Sequence, residues 1–194
     1  MSTQDIVKLR EMTGAGMLDC KKALDESGGD IEKAAEILRK KGQAKAAKKS
    51  AERETKEGAV HAYVHANGKV GAMVMLLCET DFVARNEVFQ ELAHDIAMQV
   101  AATAPLYLAP KDVPEEIVAK EKEMIKGEMA DSSKPADVLD KIVEGKMNKY
   151  YEEVCLLSQP FIKDEDITIA DLINDKIATL GEKIEIGDFS RLGI

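Results

Sequence analysis

The sequence predicts an α+β protein, with a three-helix module first and then a small antiparallel sheet packed against helices. Three observations carry this. Glycines at 14, 16, 28 and 29 cut the first 42 residues into three short amphipathic segments. At Val60 the hydrophobic period changes from helical to alternating, and an Asn67-Gly68 step joins two such runs. A last alternating run, Lys183 to Phe189, supplies a third strand.

The module spans residues 1–42. Ser2 and Asp5 form an S-x-x-D cap ahead of Ile6 and Leu9, and Thr13-Gly14-Ala15-Gly16 breaks the first helix. Met17, Cys20 and Leu24 give the stripe of the second, which Gly28-Gly29 ends. Asp30 caps the third, striped by Ile31, Ala34, Ala35 and Leu38 before Gly42. About 40 residues is near the lower limit for independent folding, so such a module works by docking. Residues 43–57 have no apolar stripe and read as a polar, basic helical linker to a core at 58–194.

In the core, Val60, Ala62 and Val64 alternate with His61, Tyr63 and His65, the pattern of a half-buried strand. Both residues of Asn67-Gly68 tolerate the positive φ of a tight hairpin. Val70 to Cys78 is apolar on both faces, as a central strand covered on both sides would be. One long helix is expected over 81–102, with Phe89, Leu92, Ile96 and Val100 on one face. A loop with Pro105 and Pro110 leads to Pro114 and an antiparallel helical pair, 114–129 and 135–154, turned at Asp131-Ser132-Ser133-Lys134-Pro135. Its stripes include Ile117, Met124 and Ile125, then Val138, Ile142, Tyr150 and Val154. A helix near Ile169–Leu180 precedes the last strand, whose alternation slips at Gly187 and suggests a bulge.

Composition narrows the function. The 194 residues carry a net charge of −9, but Arg39 to Lys56 is +6 and leaves −15 for the rest. That basic run is interleaved with alanine and not with aromatics, the composition of a solvated helix more than of an RNA-contacting one. With no Trp and only four Phe and four Tyr, the chain lacks the π-faces of a single-strand stacking platform. No apolar run approaches the ~20 residues that span a bilayer. Cys20, Cys78 and Cys155 are odd in number and without metal-ligand spacing, which fits reduced thiols in a cytosolic protein. No phosphate loop, dinucleotide fingerprint, H-E-x-x-H or G-x-S-x-G occurs. His61 and His65 on a strand lie ~13 Å apart, too far to share an ion, and His94 reads as a surface or satisfied histidine. Nothing here argues for catalysis by side chains.

Three stretches remain. Leu9 to Leu24 reads LREMTGAGMLDCKKAL; Cys78 to Asn86 reads CETDFVARN; and Glu144-Gly145-Lys146 leads through to Gln159-Pro160-Phe161. Together, and in this order, they resemble the elongation factor Ts family in its short form with a single core unit. The resemblance runs from about residue 5 to 193. It departs at Gly187-Asp188, where the family carries a basic pair before the Phe.

The resemblance implies that 1–42 is a domain of the ubiquitin-associated type. It also implies a cytoplasmic translation elongation factor that is not an enzyme, needs no cofactor, and contacts neither nucleic acid nor membrane directly. Its partner would be the GTPase elongation factor Tu. Thr80, Asp81, Phe82 and Val83 would displace Mg²⁺ and GDP, with Phe82 as a wedge between helices of the GTPase. Met17, Lys21, Lys22 and His65 are candidate contacts to that partner, although adjacent Lys21 and Lys22 diverge by ~100° around a helix. Periodicity alone offers another role for Phe82, as a core residue seven positions before Phe89. A single core further suggests two chains associating into a two-to-two complex with elongation factor Tu. Two competing classes are a non-catalytic adaptor and an RNA-binding protein resting on the basic run.

Overall fold

The computed structural model describes residues 2–128 and 136–194, and the side chains of these except 43–52, 136 and 137. Among the described residues there are eight α-helices and a three-stranded antiparallel sheet, the α+β class expected. The chain forms two compact units, one of residues 1–61, 74–95 and 171–187, the other of 62–73, 96–170 and 188–194.

In the first unit, helices α1 (Thr3–Thr13), α2 (Met17–Glu26) and α3 (Ile31–Glu52) open the chain. Ser2 Oγ accepts from the Asp5 N–H at 3.1 Å while Asp5 Oδ2 accepts from the Ser2 N–H at 2.9 Å, the capping box read from the sequence. Asp30 caps α3 by accepting from the Lys33 N–H at 3.1 Å. Leu9, Cys20, Ala23, Leu24, Ala34 and Leu38 form the module's core. Met17 stands outside it, 41% exposed. Helix α3 runs unbroken through Gly42 and ends at Glu52, so it takes in much of the segment expected as a separate linker. A glycine mid-helix costs only about 1 kcal/mol, and a Cβ there would lie 3.6 Å from that of Ala178.

The sheet has the order β1 (Glu57–Val64), β2 (Val70–Cys78), β5 (Glu185–Gly193). Strand β1 alternates as expected, but His61 and Tyr63 are its half-buried side chains, and Val60 and Val64 turn outward at 61% and 68% exposure. Strand β2 is central, with Ala72, Val74, Leu76 and Cys78 buried; its opposite row is not covered as expected, since Met73 and Met75 are exposed. Of the turn pair only Gly68 is left-handed, at φ 68°. Asn67 acts through its side chain, accepting from the Lys69 N–H at 2.9 Å. Strand β5 continues past Gly187, where a Cβ would come within 2.7 Å of Met75 Cε and 2.9 Å of Leu77 Cδ1. Close packing by those two side chains accounts for the loss of alternation there.

The helix expected over 81–102 is two: α4 (Asp81–Ala84) and α5 (Glu87–Thr103). Asn86 starts the second, its Oδ1 accepting from the Val88 N–H at 2.9 Å. Phe89, Leu92, Ile96 and Val100 are buried along α5 as read.

In the second unit, α6 (Glu115–Gly127) and α7 (Ala136–Val154) pack as a pair around Ile125, Val143 and Met147. Of the expected stripes, Ile125 is buried whereas Met124 is 59% exposed. The turn at Asp131–Pro135 lies outside the described residues. A short hairpin of β3 (Pro160–Phe161) and β4 (Asp164–Thr168) was not legible, since β3 has two residues and β4 is acidic. Helix α8 (Ile169–Leu180), most of which belongs to the first unit, lies where expected.

Candidate functional site

The corner between β2 and α4 is built from Cys78 to Val83. Thr80 is extended, at φ −130° and ψ 155°, and caps α4 by accepting from the Val83 N–H at 3.4 Å. The break after Ala84 decides the position of Phe82. Had one helix run from 81 to 102, Phe82 would fall on the buried stripe of Phe89. With α4 ending after one turn, the Phe82 ring is 83% exposed while Phe89 is fully buried. Among the large apolar residues described, only the terminal Ile194 is more exposed.

The corner is held from below. Burial pushes the Cys78 thiol up to about 11, so it stays protonated and donates to the Thr80 carbonyl at 3.2 Å. The Glu182 carboxylate accepts from the Thr80 hydroxyl at 2.7 Å, the Thr80 N–H at 3.0 Å and the Glu79 N–H at 3.2 Å. Sequence reasoning missed Glu182, because 102 positions separate it from Thr80. Asp81 pairs with Arg85 at 3.1 Å on the surface.

The other sequence candidates lie apart along the chain. Met17, Lys21 and Lys22 are exposed on α2, and Met17 is joined there by Leu18 at 74% exposure. His65 is exposed beside the β1–β2 turn, its Nδ1 3.0 Å from the Tyr63 hydroxyl. His61 faces His94, its Nε2 3.1 Å from His94 Nδ1, ring against ring edge. Desolvation first, then the His94 charge, lowers the His61 pKa.

Among the described residues no cluster of three or more His, Cys, Asp or Glu could hold a metal, and no helix is long and apolar enough to cross a membrane. A cleft of about 900 Å³ in the first unit, bordered by Lys22, Arg39, Asp175 and Thr179, holds no histidine, cysteine or serine in its lining.

Residues 19–193 match the family described as elongation factor TS. The chain is 55% identical to the elongation factor Ts of Moorella thermoacetica over 191 residues, covering 98% of this chain and 94% of the relative. It is 56% identical to that of Maridesulfovibrio salexigens over 194 residues, covering 100% and 94%. With that of Thermotoga petrophila it shares 56% over 189 residues, covering 97% and 94%. The chain belongs to the elongation factor Ts family. Its place is therefore in translation elongation, as an elongation factor of protein biosynthesis.

Proposed function

We propose that the chain is a cytoplasmic guanine-nucleotide exchange factor that binds elongation factor Tu carrying GDP, displaces Mg²⁺ and GDP, and leaves the site open for GTP. The observation that carries this is Phe82, apolar, 83% exposed and set on a corner fixed by hydrogen bonds. A P-loop GTPase holds its nucleotide through backbone amides, a lysine and a Mg²⁺ ion, and the ion is among the largest charges in the site. An exchange factor needs no reactive group. It has only to bind the nucleotide-free GTPase better than the loaded one, and reciprocity then weakens the nucleotide by the same factor.

A thousandfold weakening corresponds to about 4 kcal/mol. Burying one Phe ring between helices of the partner supplies about 1.5–3 kcal/mol, and disturbance of the metal's ligands supplies the rest. Thr80 and Val83 frame the ring. Asp81 would turn toward the metal's water shell; its exposed pair with Arg85 is worth at most about 1 kcal/mol and releases it readily. Met17, Lys21, Lys22 and His65, all exposed, would widen the contact.

Elongation factor Tu and not RNA is the partner in this account. The basic stretch is interleaved with alanine and carries no aromatic side chain on which a base could stack. We further propose a homodimer, for which the outward apolar residues of β1 (Val60, Val64) and of β2 (Met73, Met75) are the support.

The test is release of fluorescent GDP from elongation factor Tu into excess unlabelled GDP. Acceleration by orders of magnitude is expected. Binding without acceleration would make the protein an adaptor.

A further inference from the structure

We infer that Glu182 is the positioning residue for Phe82: its carboxylate sets the direction in which the β2–α4 corner presents the ring. This deepens the exchange proposal and rests on it. Helix α4 has only four residues, too few to define its own axis, since the first helical turn is the costly one to form. It is held at both ends: Ala84, which ends it, is buried with its carbonyl accepting from Gln90 Nε2 at 2.6 Å, and its start is fixed by the residue before it. That residue is Thr80, and both its backbone N–H and its hydroxyl donate to Glu182, at 3.0 and 2.7 Å. The preceding N–H, of Glu79, donates to the same carboxylate at 3.2 Å.

The bracing is reciprocal. Glu79 Oε1 accepts from the Lys183 N–H at 2.6 Å, so each of the two acidic side chains holds the backbone of the segment that carries the other. Arg53 closes the set, with Nη1 2.9 and 3.1 Å from the Glu79 oxygens and 3.4 Å from the Gly181 carbonyl. Gly181 ends α8 in the left-handed region, at φ 81°, and Glu182 follows directly. Hydrogen bonds to an ionised acceptor are about twice as strong as neutral ones. An unpacked ring cannot hold its own orientation, so a corner without this anchor would be less ordered before binding, and the added ordering would weaken the coupling to nucleotide.

A glutamine is the informative replacement. It keeps the length, and its oxygen can still accept from the two N–H donors, but its N–H₂ turns the Thr80 hydroxyl from donor to acceptor and the charge that strengthens all three bonds is lost. The experiment measures GDP release from elongation factor Tu with the full chain as wild type, E182Q, F82A and the double variant. E182Q is expected to lower the maximal release rate by about tenfold, in the range of ordinary coupling free energies, with a smaller change in the half-saturating concentration. In the F82A background the same change should cost less than about twofold. A purely structural role would instead give the same loss in both backgrounds, and that result overturns the inference. So does an E182Q rate equal to wild type while F82A is impaired, which leaves the exchange proposal standing. F82A equal to wild type removes the wedge itself and the positioning role with it. If E182Q does not fold, Glu182→Asp, which keeps the charge but draws the carboxylate back from all three donors, carries the same comparison with the same outcomes.

Discussion

Phe82 shows what one residue can reveal and what it cannot. Its type and its neighbours Thr80, Asp81 and Val83 were legible, and so was Thr80 as a cap. Whether the ring pointed inward was not, because a spacing of seven to Phe89 fits a continuous helix as well as a broken one. Asn86 decides it, through one side-chain hydrogen bond to the Val88 N–H. Glu182 was invisible for a different reason: its contacts are with residues about a hundred positions earlier, and no local pattern encodes them.

Cys78 gives a prediction at the same scale. Burial, with the Glu182 charge second, raises its pKa from 9.0 to about 11. Between these values the unfolded chain has lost the proton and the folded one has kept it, so stability must fall as pH rises from about 9 to about 11. Urea midpoints measured across that range should decline, and Cys78→Ala should lessen the decline. Cys155, also raised by burial, accounts for part of what remains. Unchanged midpoints in wild type would contradict the assignment.

At the scale of elements, caps such as Ser2 with Asp5 and Asp30 were read correctly because they are local, as were the glycine stops at Gly14 and Gly28, whereas Gly42, also read as a stop, lies inside α3. Strand β1 was different. Alternation shows that a strand has two faces but not which one meets the core, and here His61 and Tyr63 take the inner side while Val60 and Val64 stand outside. Asn86→Ala should cost about 1 kcal/mol of stability, the ordinary value of an N-cap, read as a shift in denaturation midpoint.

A larger effect is expected at Gln99, a fully buried side chain in α5. It donates to Gln159 Oε1 at 3.2 Å and to the Pro160 carbonyl at 3.0 Å, and accepts from the Ile162 N–H at 2.9 Å. These bonds fasten the β3–β4 hairpin. Gln99→Leu strands its partners and should destabilise the chain by about 1–3 kcal/mol, with faster amide exchange at Ile162. A change below a few tenths would show that water replaces the glutamine.

For the whole molecule, family membership establishes a role in translation elongation, and the exchange mechanism is the proposal that explains why the chain needs an exposed Phe82. Association belongs to this scale too. Sedimentation of the wild type should show a dimer, and lysines at Val64 and Met73 should return it to a monomer. A wild-type monomer that exchanges nucleotide at full rate would remove the two-to-two complex.

The most direct measurement compares GDP release from elongation factor Tu driven by wild type and by Phe82→Ala, with circular dichroism to show that both are folded. Because the ring contributes nothing to the chain's own core, Phe82→Ala should fold with unchanged stability yet lose most of the acceleration, about tenfold to a hundredfold. Equal acceleration by the two proteins would place the work of exchange on other residues and contradict the account.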